Sequence, residues 1–244
     1  MVVVSRSELP PPLPPETRTV GQLVAEAIRF YGNRFWPSLA IGVPPAILVV
    51  AGAPLPQRYR LLLVVTAGTL LITASYVRAC ALMARERRGS LGMAFAVGAL
   101  VFAPVPVVTA VSVLLVLPAL AWLALLGLVV PALLVEGGEV RASLRRAVEL
   151  ARADYVHALG SLATLVIVVF LSQAALFFLL RGAGEAAVAV AGFLANLVIS
   201  PVLFLGSALL YYDQAARVRS SKRDGALPRG KPAPPGPVRH PSSR

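Results

Sequence analysis

The chain has 244 residues, of which 57% are hydrophobic and only 14% charged, and it carries a net charge of +12 with a mean hydropathy of +0.78. A soluble domain covers its surface with roughly 25% charged residues, so this composition excludes an ordinary soluble globule. It does not describe a nucleic-acid binder either: the basic residues sit at the ends of apolar stretches and in a tail, without RNA-binding aromatics or zinc-finger spacing.

Residues 1–16 contain the run Pro10, Pro11, Pro12, Leu13, Pro14, Pro15, which reads as an extended, disordered spacer. The basic-then-apolar order of a signal peptide is missing, so no cleavage is expected. Thr19 and Gln22 then have the spacing of a capping box. Leu23, Ala27 and Tyr31 follow on one helical face, with Gln22, Glu26 and Arg29 on another. This amphipathic helix is expected to lie in the membrane interface. Phe35 and Trp36 anchor the start of a first span over 37–55, which Pro44 and Pro45 should kink.

The stretches 61–77, 91–135 and 158–180 contain no Asp, Glu, Lys or Arg. A membrane span needs about 20 mostly apolar residues, so the middle stretch reads as two spans in a tight hairpin. The second span is expected over 61–83, ending at Arg85, Glu86, Arg87 and Arg88. Arg78 lies in its last turns, within reach of the headgroups by snorkelling. The third and fourth spans, over 94–117 and 119–135, are interrupted by Pro104, Pro106, Pro118 and Pro131 and closed by Glu136, Gly137 and Gly138.

In 139–155, Val140, Leu144, Val148, Ala151 and Tyr155 trace an apolar stripe, with Arg141, Arg145, Arg152 and Glu149 off it. This reads as a second interfacial helix, its arginines towards phosphates. A fifth span over 158–180 and a sixth over 186–212 follow. In the sixth, Ala187, Ala191 and Ala195 recur every fourth residue and permit close helix approach. Beyond Ser220 the chain is rich in Pro, Gly, Lys and Arg and reads as disordered. The expected plan is a Pro-rich segment 1–16, a six-span domain 17–219 and a basic tail 220–244.

Basic residues crowd the two termini, the loop after the second span and the segment after the fourth, whereas Arg58, Arg60 and Arg181 are alone on the other side. The positive-inside rule then puts both termini in the cytoplasm. Ala27, Ala94 and Ala147 each follow an apolar residue three positions earlier, namely Val24, Leu91 and Leu144. They suggest a threefold repeat of a lead-in helix plus a membrane hairpin, with three lead-in helices forming a cytoplasmic collar. The expected fold class is therefore all-α, a polytopic membrane helix bundle of six spans.

Catalytic motifs are missing: there is no P-loop, no zinc-protease helix and no nucleophile elbow. His157 stands at a span entrance and His240 in the tail, and Cys80 reads as a packing residue. No catalytic residue, metal site or cofactor is expected. The candidate contacts for lipid headgroups are Arg85, Arg87, Arg88, Arg141, Arg145, Arg146 and Arg152. The candidate intramembrane polar contacts are Arg78, Gln173 and Asn196. Gln173 and Asn196 are expected to hydrogen-bond between the fifth and sixth spans, the alternative being a polar lining for a substrate path.

Val135, Glu136, Gly137 and Gly138, followed by Ala142, Ser143, Leu144, Arg145, Arg146, Ala147, Val148, Glu149 and Leu150, resemble the membrane domain found beside some bacterial glycerophosphoryl diester phosphodiesterases, and its stand-alone relatives. The likeness extends to the amphipathic start and to the exit Leu209, Leu210, Tyr211, Tyr212, Asp213. Ala147 stands where relatives often have Ser. The family's phosphodiesterase activity belongs to a separate soluble barrel, so the resemblance implies a membrane module and not an enzyme. The expected function is non-enzymatic: organising, sensing or handling membrane lipid. A small transporter or channel, or an accessory subunit of a partner enzyme, are the alternatives. The expected partners are the lipid bilayer, anionic lipids in particular, and a second copy or another membrane protein; no nucleic acid is expected.

Overall fold

A computed structural model describes residues 17–182 and 184–226, in which every regular element is a helix. The Pro-rich segment 1–16 and the tail from 227 lie outside the described residues. Six of the helical stretches are long and apolar enough to cross a membrane: Phe35–Gly52, Gln57–Met83, Leu91–Thr109, Val116–Glu136, Tyr155–Leu180 and Ala186–Lys222. The chain is a multi-pass, all-α membrane bundle.

The first helix, α1 (Val20–Asn33), starts at the expected capping box: Thr19 N–H donates to Gln22 Oε1 at 2.7 Å and Gln22 N–H to Thr19 Oγ1 at 3.4 Å. Leu23 and Ala27 are its buried face, while Trp36, just beyond it, is 75% exposed and free to sit among headgroups.

Prolines stand at the breaks in the first, third and fourth spans. The first is split into α2 (Phe35–Leu39) and α3 (Val43–Gly52), with Pro44 and Pro45 in the first turn of α3. A proline there needs no N–H partner, so the pair starts a new helix instead of bending an old one. The second span is α4 (Gln57–Leu63), a π turn over Val64–Gly68 and α5 (Thr69–Met83). The third is α6 (Leu91–Phe102) followed by α7 (Pro104–Val111). It ends earlier than expected because Ser112 turns extended and a short 3-10 turn follows. The fourth is α8 (Val116–Leu126) and α9 (Val129–Glu136), closed by Gly137 at φ 68.

Each proline leaves the carbonyl four residues earlier without its helical partner. Two of these carbonyls find substitutes on neighbouring positions of α5. The Ser75 hydroxyl donates to Ile41 O at 2.8 Å, opposite Pro45, and the Tyr76 hydroxyl to Gly127 O at 3.0 Å, opposite Pro131. Both donors are buried.

The remaining elements are α10 (Val140–Ala153), α11 (Tyr155–Leu180) and α12 (Glu185–Ala226). The last packs on α1, α3, α5, α10 and α11 and is the mast of the bundle. Its 42 residues extend about 63 Å at ~1.5 Å per residue, about twice a ~30 Å hydrocarbon core. Its last turns therefore stand clear of the membrane, and the segment after Ser220, expected to be disordered, continues as helix to Ala226. Pro201 lies inside α12, and the orphaned carbonyl, that of Leu197, faces Gly42 at the break in the first span. A Cβ on Gly42 would come within 2.1 Å of that oxygen.

The threefold repeat is corrected. Ala27, Ala94 and Ala147 are all fully buried, but Ala94 belongs to α6, which begins the third span directly after Ser90. Only α1 and α10 are lead-in helices, because the loop before α6 is too short to hold a third. Instead that loop is tied to the end of α9, with the N–H groups of Arg88 and Gly89 both donating to Leu134 O.

Ser75→Ala and Tyr76→Phe each strand a buried carbonyl, and each should cost about 1–3 kcal/mol in reversible denaturation from detergent micelles. Gly42→Ala meets backbone that cannot swing aside, so it should exceed both and lower the yield of folded protein.

Candidate functional site

The centre of the bundle is not filled. A cavity of about 450 Å³ lies among the spans, and all six contribute to its wall: Pro45, Ile72, Phe102, Leu120, Leu162 and Phe204 are examples, one from each. Among the described residues, no Asp, Glu, Lys, Arg or His lines it. The volume falls within the range of roughly 300–1,000 Å³ typical of small-molecule sites. The helix breaks border it: Val64 of the π turn, Pro106 and Gly127 are all in the wall.

The wall is polar at a few points, but most of that polarity is already used. The hydroxyls of Thr69, Thr109 and Ser207 donate to carbonyls of their own helices at 2.7–2.9 Å. Ser200 does the same to Asn196 O, and Tyr76 serves Gly127. Gln173 and Asn196 remain. The hydrogen bond expected between them across the fifth and sixth spans does not form; Asn196 Nδ2 donates to Gly192 O of its own helix at 2.9 Å. Both amides line the cavity, so the structure arranges them as a polar lining.

The predicted arginines fall into separate groups. Arg141, Arg145 and Arg152 are exposed and share one face of α10, since separations of four and seven residues return to the same side of a helix. The buried face differs from the expected stripe: it is Ser143, Ala147, Leu150 and Ala151, with Val140 and Leu144 37% and 41% exposed. Small residues let α10 seat closely on α8, α9 and α12, which leaves the larger Val140 and Leu144 outside, next to the arginine face. That order of buried, apolar and basic surfaces suits a helix half sunk at a lipid interface.

Arg146 is set apart from these three. It pairs with Glu136 and Glu149, each at 3.0 Å, and Lys222 reaches Glu149 at 3.0 Å, tying α10 to the end of α12. The Tyr211 hydroxyl also donates to Glu136 at 2.8 Å. The hydrogen bonds from Lys222 and then Arg146 hold the Glu149 carboxyl below its ordinary range. Arg85 and Arg88 join Arg219, Tyr211, Tyr212 and Glu86 around a second hollow of about 660 Å³ at the arginine-rich end. Arg87 is exposed and does not line it. Arg78 is exposed on the outer side of α5, in position to snorkel.

A polar knot at the same end was not legible in the sequence. Arg18 Nη1 meets Asp213 Oδ1 at 2.7 Å, with side chains 9% and 0% exposed. Arg217 binds Asp154 Oδ2 at 2.9 Å, donates to Arg18 O at 2.9 Å and touches His157 Nε2 at 3.2 Å. Asp154 also caps α11 through the His157 N–H. Arg18 just before α1, the α10–α11 junction and the later turns of α12 are thereby fastened together. The one sequence signal was Asp213 itself, an acid immediately after a long apolar run.

At the arginine-poor end the three basic residues are engaged locally. Arg60 donates to Gly52 O, Ala53 O and Leu55 O, closing the end of α3. Arg58 lies over Tyr59 and Arg181 over Phe178.

Comparison with protein-family models, with curated proteins and with solved structures finds no match to this chain.

Removing one partner of a buried ion pair typically costs about 3–5 kcal/mol, so Arg18→Met or Asp213→Leu should markedly lower the unfolding temperature in detergent. The double variant should recover part of that loss, because it leaves no buried charge unpaired. The Glu149 tie has the sign of a depressed carboxylate. Its contribution is complete above the unfolded value of about 4.3 and is lost as the pH falls through the lower folded value. Hydrogen-exchange protection along α10, taken relative to the intrinsic rate at each pH, should therefore stay flat from pH 7 to 5 and fall only in stronger acid.

Proposed function

We propose that this is a non-enzymatic membrane protein that holds a lipid within its helix bundle, and so senses or handles lipid rather than transforming it. The observation that carries the reading is the central cavity. All six spans wall it, no charged side chain among the described residues enters it, and its unspent polarity is concentrated on two amides. A hydrophobic space of this size in the middle of a membrane protein is matched chemically by the acyl chains around it. Two further features support the reading. The basic face of α10 lies beside exposed Val140 and Leu144, and the residues around Glu136–Leu150 resemble a membrane domain found beside some phosphodiesterases.

In the same reading the arginine-rich end faces the cytoplasm of a bacterial cell and meets the anionic leaflet of the inner membrane. Both termini then lie on that side, since α1 and the far end of α12 are bound to each other. The basic hollow with Arg85, Arg88 and Arg219 and the α10 face with Arg141, Arg145 and Arg152 are the headgroup contacts. Arg146 is a structural link in this arrangement.

A small transporter or channel is the second reading, and one observation favours it: the π turn and the Gly127 break both border the cavity, as interrupted helices do in many transporters. An apolar wall suits a lipophilic cargo better than an ion, so the two readings share a ligand class.

Native mass spectrometry of detergent-released protein tests the proposal. The wild type should retain lipid. Ala119→Phe, which puts a ring into the cavity, should release it. The triple change of Arg141, Arg145 and Arg152 to Gln should strip anionic lipid while the cavity lipid stays. A wild type that emerges lipid-free from mild detergents and takes up none from added lipid overturns the reading. Substrate-dependent flux in proteoliposomes would move the protein to the second one.

A further inference from the structure

Between α11 and α12, in the half of the bundle away from the arginine-rich end, lies a third hollow of about 320 Å³, with Arg181 seated over Phe178 at its rim. Gln173 and Asn196 line it, and the same two residues line the central cavity. The crevice and the cavity therefore meet at the two amides. On the α11 side the crevice is edged by Phe170, Phe177 and Phe178, which are 64%, 50% and 60% exposed. On the α12 side it is floored by Ala191, Gly192 and Ala195. The alanine spacing that permits close approach of helices thus faces an opening, with movable rings on one side and a smooth wall on the other. The side chains on the lipid-facing rim are those a hydrocarbon chain would slide past.

Resting on the lipid-holding reading above, we infer that the cavity is loaded sideways from the surrounding bilayer through this crevice, and that its occupant is an uncharged long-chain amphiphile whose head hydrogen-bonds to Gln173 and Asn196.

The chemistry of the head follows from depth and charge. Gln173 lies seven residues before the end of α11 at Leu180, about 10 Å inward along the helix, below the level at which a headgroup stays in water. No charged side chain lines the cavity to receive an ionised head there, and an unpaired charge at that depth is strongly disfavoured. The hydroxyls in the wall are already committed to carbonyls. What is free is the Gln173 amide, together with the carbonyl and one remaining N–H of Asn196. These fit a hydroxyl or an ester oxygen. The tail follows from length: on α12 the lining runs from Asn196 to Leu210, about 21 Å along the axis, which is the length of a hydrocarbon chain.

The test follows uptake of radiolabelled dioleoylglycerol by the full chain in phosphatidylcholine nanodiscs, with dioleoylphosphatidylglycerol as the charged comparison. With Arg141, Arg145 and Arg152 changed to Gln to remove surface binding of anionic lipid, the protein should take up the dioleoylglycerol and reject the charged lipid. Ala174→Trp, which blocks the crevice without reaching the cavity, should slow uptake about tenfold and leave the final occupancy unchanged. Phe177→Ala, which widens the rim, should speed uptake and answers for the case in which the tryptophan variant does not fold. Gln173→Leu should weaken retention about tenfold, the worth of one or two hydrogen bonds. Uptake rates unmoved by both crevice variants overturn the lateral route. A preference for phosphatidylglycerol in that triple variant overturns the uncharged head. If native mass spectrometry finds lipid in the cavity but dioleoylglycerol never enters, this inference fails and the holding function stands. If the wild type holds no lipid of any kind, the function itself fails.

Discussion

A carbonyl freed by proline inside a hydrocarbon solvent has no water to turn to, and it must be answered from within the protein. Much of the arrangement of this bundle follows from that constraint. The chain places prolines in every span except the second and the fifth. Ser75 and Tyr76, adjacent on α5, answer the carbonyls of Ile41 and Gly127, so one turn of one helix holds the breaks in two others. Trp122 Nε1 similarly reaches Val101 O at 2.9 Å, close to the break before Pro104. At Pro201 the answer is a close approach: Leu197 O presses on Gly42, where only a hydrogen fits.

The cavity follows from the breaks. Straight helices of this composition would interdigitate to near-crystalline density and leave little space. A π turn and an interruption at Gly127 displace side chains from the ridges that would otherwise fill the centre. The threonines and serines there return their hydroxyls to their own helices, which removes polarity from the wall without removing residues. The result is a space that is apolar because its polar groups are satisfied, and the two amides stand out against that background.

The parts of this arrangement legible in the sequence were those written in short-range pattern. Span number, the capping box at Thr19, the glycine turn at Gly137 and the amphipathic character of α1 and α10 all depend on residues within a few positions of one another. The polar knot could not be read that way, because Arg18 and Asp213 are 195 residues apart and neither has a neighbour that announces the other. Which residues of α10 would be buried against the spans was not legible for a related reason. Hydrophobicity pointed to Val140 and Leu144, whereas close packing selected Ser143 and Ala147, small enough for α8 and α9 to approach. In a membrane protein, large apolar side chains are as content in lipid as in a core, so size decides what is buried. Gln173 and Asn196 were identified as polar residues in spans, but whether they would face each other or a void depended on the breaks in other spans.

The two ends of the bundle are built to different standards of rigidity. At the arginine-rich end α1, α10, α11 and α12 are joined by the Arg18–Asp213 and Arg217–Asp154 pairs and by the Glu136–Arg146–Glu149–Lys222 chain. At the other end the outer turns of α11 and α12 carry no such ties among the described residues, and large side chains such as Leu171, Phe178, Leu179 and Val190 are exposed. Local opening is easiest where buried contacts and charged links are fewest. A pair of long helices tied by charged links at one end only parts most easily at the other, where the crevice lies. In the inferred lateral route, the Arg18–Asp213 and Arg217–Asp154 pairs thereby confine the opening to the half of the bundle opposite them.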